Sequence, residues 1–212
     1  MTGTDTGSGK TWASCALLAA WRRRGLRASG MKPAASGSAM TPAGLRNDDA
    51  LALLAASDPA PAYADCNPFA YAPPIAPHVA ARLAGRAIDL AGISASHARI
   101  AAQCDRVVVE GVGGWLAPLA DTLMQADVAH ALDLPVVLVV GVRLGCINHA
   151  LLSARAIVAD GCRLAGWIAN RIDPAMEHAD ASIAAIGERI AAPRLGTLDW
   201  GDPAPCLAVD GW

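Results

Sequence analysis

The run Gly3-Thr4-Asp5-Thr6-Gly7-Ser8-Gly9-Lys10-Thr11 passes without a break into a helical pattern, and it limits the fold more than any other feature of the chain. Glycines let successive backbone N–H groups curl around an anion, and a helix start behind them adds positive potential. Lys10 can then reach β and γ phosphates, and the Thr11 hydroxyl can ligate Mg²⁺. The spacing is GxxxxxGKT, longer than the common GxxxxGK[ST]. Even so, Gly9-Lys10-Thr11 at a helix start predicts phosphate binding rather than a flexible terminal loop. Such a loop is fed by a strand, and since only Met1 and Thr2 precede Gly3, the first strand is expected to be truncated.

Downstream, Ala13, Ala16, Leu17, Ala20 and Trp21 recur at helical spacing over residues 10–24, with Gly25 as a C-terminal stop. Arg22, Arg23 and Arg24 fall where cations complement the carbonyl end of a helix, and read as a solvated helix end. A strand is expected at 26–31, a polar loop at 32–46, and a helix over 48–56 capped by Asn47. Residues 57–77 carry six prolines, which excludes continuous helix or central strand and predicts an ordered surface excursion. Helices are then expected near 78–84 and 89–103, a strand at 106–110, a helix at 121–132 and a strand at 135–141. A helix at 147–160, a strand at 164–170, a helix at 174–190 and a strand at 194–198 complete the alternation. Runs such as Val107-Val108-Val109 are apolar on both faces. The expected fold is therefore α/β: one domain with a doubly wound, mostly parallel sheet and helices on both sides, of the P-loop NTPase type.

The formal charge of -2 offers no electrostatic footprint for nucleic acid. The longest apolar run, 134–142, is far short of the ~20 residues that span a bilayer. Six scattered cysteines without CxxC spacing read as small buried hydrophobes in a reducing cytoplasm. One composition detail is sharper. Of seventeen basic residues only Lys10 and Lys32 are lysine, so a compact point charge is needed at two places where arginine would not serve.

Other candidates cluster at expected strand ends. Glu110 closes an apolar strand and precedes Gly111-Val112-Gly113-Gly114, the position of a metal-side acid with glycines that admit a ligand. Lys32 opens Lys32-Pro33-Ala34-Ala35-Ser36-Gly37 at the end of the second strand. Asp48 and Asp49 stand at a helix start, where dipole complementarity competes with metal ligation. Asn170 could read an adenine edge or cap a loop. His78 and His149 read as structural.

Taken together, GTDTGSGKT, KPAASGS, GLRNDDALAL, NPFAYAPPIAPH, VVVEGVGGW, VVLVVGVRLGCINHA and LAGWIAN resemble the dethiobiotin synthetases, ATP-dependent enzymes of biotin synthesis, over nearly the whole chain. The resemblance implies that Lys10 and Thr11 bind triphosphate and Mg²⁺, that Asp49 and Glu110 complete the metal shell with Thr11, and that Lys32, with Lys10, is catalytic. Gly7, Ser8, Gly9, Trp12, Gly111, Val112 and Gly113 would line ATP; Asn170 and Arg171 would meet the base, near Asp199, Trp200 and Gly201. Thr6, Ser36 and Asn148 would contact the diamine, Asn148 from a loop reaching the other subunit of a homodimer. This chain has Gly7-Ser8 where many members carry Glu-Val. The implied reaction closes a ureido ring on 7,8-diaminononanoate with CO2 and ATP, giving dethiobiotin, ADP and phosphate. The alternative is a partitioning or scaffold-type ATPase switch, which places a signature lysine where this chain has Asp5.

Overall fold

Val137 and Val139 pack into one apolar cluster while Val136, Leu138 and Val140 pack into another, so a single strand is buried on both faces. That period of two is the mark of a parallel sheet covered by helices on either side. The computed structural model describes residues 1–202 and 205–209.

In chain order the elements are β1 Thr2–Gly3, α1 Lys10–Arg22, β2 Ala28–Met31, β3 Ala34–Ala35, β4 Ala39–Thr41, β5 Gly44–Arg46 and α2 Asp48–Ala56. Then come α3 Tyr63–Cys66, β6 Phe69–Ala70, α4 Pro77–Leu83, α5 Leu90–Ala101, β7 Arg106–Val109 and α6 Gln125–Ala131. The chain continues with β8 Val136–Gly141, α7 Cys146–Ala159, β9 Leu164–Asn170, α8 Ala179–Gly187 and β10 Arg194–Leu198. Strands β1, β8, β9 and β10 form one parallel sheet in that order, and β2 pairs β7 in parallel. The two sheets meet at β1, where the Met1 amine donates to Val109 O at 2.8 Å and Gly111 N donates to Met1 O at 2.9 Å. α1 and α2 cover one face through Leu17, Trp21 and Leu53. α7 and α8 cover the other through Ile157 and Ile183, with α5 beside them through Ile93 and Ile100.

The expected α/β architecture is present, with several local differences. The 32–46 segment is not simply a polar loop: β3 pairs β6, and β4 and β5 form an antiparallel hairpin. α6 starts at Gln125 rather than 121, because Leu119 N and Ala120 N bond back to Leu123 O. α8 starts at Ala179 rather than 174, because His178 adopts a left-handed φ of 56° and Asp173 caps a turn at Ala175 N. All six cysteines are free thiols. Among the described residues no helix is long and apolar enough to cross a membrane.

The first strand exists but is only two residues long. Beside it residues of β7 and β8 flank a lane, a cavity of about 670 Å³ lined by Leu17, Trp21, Val107, Val108, Val136 and Val137. Burial at the end of this lane pushes the Met1 amine from an ordinary 8.0 down to about 6. An apolar β-forming segment of about 5–8 residues placed ahead of Met1 would fill the lane, pair with both strands and replace the amine by a peptide N–H. Its expected effect is a higher thermal midpoint. Because the folded-state value is depressed, the amine costs most below about pH 6 and nothing above pH 8. The gain is therefore larger at pH 6 than at pH 8, and equal midpoints for the two versions would contradict it.

Candidate active site

The glycine-rich loop leaves β1 at Gly3 and turns into α1 at Gly9, whose φ of 83° lies in the left-handed region. No acidic residue occupies the first turn of α1, which leaves its free N–H groups and positive end available to an anion. Asn170, at the carboxyl end of β9, donates from Nδ2 to Ser8 O at 3.0 Å and so braces the loop from beneath. Glycine is required at position 9 twice over. A Cβ there would fall 1.8 Å from Asn170 Nδ2, in addition to the strained φ. Lys10 Nζ folds back to donate to Asp5 O at 2.9 Å, and burial, helped by the nearby Lys32 charge, lowers the Lys10 ammonium to about 8.

The carboxyl ends of β2 and β7 bring Lys32 and Glu110 together beside this loop. Lys32 Nζ lies 2.6 Å from Glu110 Oε1 and 2.9 Å from Asp49 Oδ2, in the first turn of α2, and 3.3 Å from Gly111 O. Thr11 Oγ1 donates to the same Glu110 oxygen at 2.9 Å. Burial opposes charge on Lys32, but Glu110 and Asp49 outweigh it and raise the ammonium above its usual range. Burial likewise pushes the Asp49 carboxyl up, and Lys32 beside it prevails and holds it below its ordinary value. Glu110 Oε2 is buried without a hydrogen-bond partner. A buried carboxylate oxygen left unsatisfied is costly, and a hydroxyl with two carboxylates is a hard-oxygen set suited to Mg²⁺ that keeps water and phosphate oxygens as its other ligands. The residues present therefore fit that ion. Among the described residues no group of three or more His, Cys, Asp or Glu offers an all-protein metal cage.

The structure thus gathers Lys10, Thr11, Lys32, Asp49, Glu110 and Gly111 at one place. Val112 N is held by Gln125 Oε1 at 3.4 Å, and Gly113 takes a positive φ of 63° nearby. Arg171 pairs with Asp199 at 2.9 Å, joining the ends of β9 and β10 next to the exposed Trp200 and to Gly201. Asn170 spends one amide hydrogen on the loop, a capping bond that does not exclude the base recognition the sequence also offered. Thr6 and Trp12 are exposed on the loop and α1, Ser36 is half-buried after β3, and Asn148 is exposed in the first turn of α7. Among the described residues no hydrogen bond ties the Ser36 hydroxyl, Thr6 or Asn148 to the lysine cluster.

Sequence reasoning missed the backing of Lys32. Asn67 Nδ2 donates to Lys32 O at 2.7 Å, and Tyr63 Oη donates to Asn67 Oδ1 at 3.2 Å while accepting from Asn47 N at 2.8 Å. Asn47 in turn caps α2, accepting from Ala50 N. The proline-rich excursion is thus a clamp that ties the lysine strand to the Asp49 helix. The sequence carries no local signal of it, since the burial of Asn67 and the half-burial of Tyr63 emerge only in the fold.

Residues 1–204 match the family model described as AAA domain. The chain is 56% identical over 208 residues to an ATP-dependent dethiobiotin synthetase of Xanthomonas oryzae pv. oryzae, covering 98% of this chain and 93% of the relative. It is 57% identical to the protein of the same description from Xanthomonas campestris pv. campestris, covering 99% and 93%. With that from Xylella fastidiosa the identity is 55%, covering 93% and 88%. Similarity at that level along almost the full length of each places the chain, with its lysine, hydroxyl and two carboxylates gathered beside a glycine-rich loop, in the dethiobiotin synthetase family.

Proposed function

We propose that this protein closes the ureido ring of dethiobiotin, using 7,8-diaminononanoate, CO2 and ATP and releasing ADP and phosphate. The observation that carries the reading is the position of Lys32. The ammonium sits at the carboxyl end of β2, held by Glu110 and Asp49, directly beside the loop that would hold the triphosphate. In open α/β sheets ligands bind at that edge.

The chemistry needs no nucleophilic side chain. One substrate amine attacks CO2 and sheds a proton, forming a carbamate. A carbamate oxygen then attacks the γ phosphorus and ADP leaves. The second amine attacks the carbonyl carbon, phosphate departs, and the ring closes with loss of a proton. Such transfers depend on positioning and on neutralising charge as it develops. The Gly7–Thr11 backbone and the Lys10 ammonium would hold the phosphates, and Lys32 would hold the carbamate oxygen against the γ-phosphate. Thr11, Asp49 and Glu110 would hold Mg²⁺, which supplies charge neutralisation at the β and γ phosphates when bound. Asn170, Arg171 and the Asp199-Trp200-Gly201 turn would meet the base; Thr6 and Ser36 would contact the diamine.

The same reading makes the protein a cytoplasmic homodimer in which Asn148 reaches the second subunit's site. Leu144, 93% exposed just ahead of α7, and Leu152 and Val158 on that helix support it, because large apolar side chains in water favour burial against a partner. The ATPase-switch alternative loses ground at Asp5, which accepts the Lys10 ammonium at its carbonyl and pairs its carboxylate with Arg143. ADP release separates the two. Its rate should rise at least about tenfold on adding the diamine and bicarbonate, since the acceptor assembles the reacting geometry. A rate indifferent to diamine would favour the switch.

A further inference from the structure

Of the three groups assigned above to a divalent cation, the two carboxylates converge on an ammonium instead, and the hydroxyl bonds one of them. Lys32 Nζ is within 2.9 Å of Asp49 Oδ2 and 2.6 Å of Glu110 Oε1, and Thr11 Oγ1 adds its hydrogen bond to that same Glu110 oxygen. The side chains of Lys32 and Glu110 are 4% and 0% exposed. Two carboxylates held this close repel unless a cation lies between them, so the lysine keeps the pair assembled. The backbone at Lys32 is pinned on both sides: its N donates to Cys66 O at 2.7 Å and its O accepts from Asn67 at 2.7 Å. Any displacement is therefore confined to the flexible four-carbon stem, a freedom that arginine's wider fork would not have in this space.

Resting on the Mg²⁺ reading of these residues, we propose that Lys32 is a tethered occupant of the cation seat, which opens to metal only as bound nucleotide draws the ammonium off to its phosphates. A free divalent ion competes against a cation already present at high effective concentration, and loses. Nucleotide changes the balance by giving the ammonium a second set of anionic partners. The exchange delivers Lys32 to the γ-phosphate and carbamate as the seat is filled, so the reacting charges are assembled together.

The test uses Mn²⁺ as probe, with free ion measured by electron paramagnetic resonance on nucleotide-free protein. Lys32→Met should bind Mn²⁺ at least about tenfold more tightly than wild type, because an adjacent like charge has gone. Adding Asp49→Asn to that variant should abolish the binding. In parallel, Mn²⁺ alone should raise the thermal midpoint of Lys32→Met above its value in chelator while leaving the wild-type midpoint unmoved. If the variant unfolds in chelator, its refolding on Mn²⁺ addition gives the same answer. Affinity no tighter than wild type overturns the tethered-occupant proposal. The seat itself is judged separately: with ADP bound, Mn²⁺ should raise the wild-type midpoint beyond ADP alone, and Asp49→Asn should remove that increment. An increment that survives Asp49→Asn defeats the seat, and with it the proposal.

Discussion

Lys32→Ala should lower kcat by about 10²–10³ while leaving ATP affinity within a few-fold of wild type, as when a single preorganised charge-stabilising donor is removed. Lys32 is buried at the end of β2 against Glu110 and Asp49, whereas the glycine loop, Lys10 and the free N–H groups of α1 stay intact without it. Binding of the triphosphate therefore persists and the transfer step suffers. Steady-state kinetics in saturating diamine, with nucleotide affinity by calorimetry, separate the two effects. A near-normal kcat would remove Lys32 from the chemistry.

Gly9→Ala is expected to act on binding instead. The new Cβ would lie 1.8 Å from Asn170 Nδ2 and the residue would have to hold a φ of 83°. Left-handed backbone in a non-glycine residue costs on the order of 1–3 kcal/mol, and moving Asn170 also frees the buried Ser8 carbonyl it satisfies. The loop must rearrange to escape, so ATP affinity should fall about a hundredfold, near 3 kcal/mol. Adding Asn170→Ala relieves the collision and leaves the φ strain, so the double variant should recover part of the affinity. Unchanged affinity in Gly9→Ala would mean that the loop does not bind phosphates in this conformation.

Much of this was readable from the residues because local and global signals agree. Asn47 caps α2 as its side chain predicts, and the apolar runs of β8 and β9 fall where a parallel sheet needs them. The scarcity of lysine pointed to Lys10 and Lys32 before any motif did, and the structure brings both to the candidate site. What was hidden depends on long-range geometry. Nothing local in residues 57–77 announces that Asn67 will hold the Lys32 carbonyl, because the contact spans 35 positions. The late starts of α6 and α8 come from backbone bonds onto Leu123 O, the Asp173 turn and left-handed His178, which compete with helical periodicity. Met1 to Gly3 link the two halves of the sheet through three hydrogen-bonded neighbours, Val109, Gly111 and β8. Asn170, which sequence alone left between base reading and capping, acquires its bracing contact only when β9 is placed under the loop.

The most direct test incubates the folded protein with 7,8-diaminononanoate, bicarbonate, Mg²⁺ and ATP and examines the mixture by mass spectrometry. Dethiobiotin is the expected product, formed together with ADP and absent when ATP or diamine is withheld. A folded, ATP-binding protein that makes none would contradict the ring-closing function.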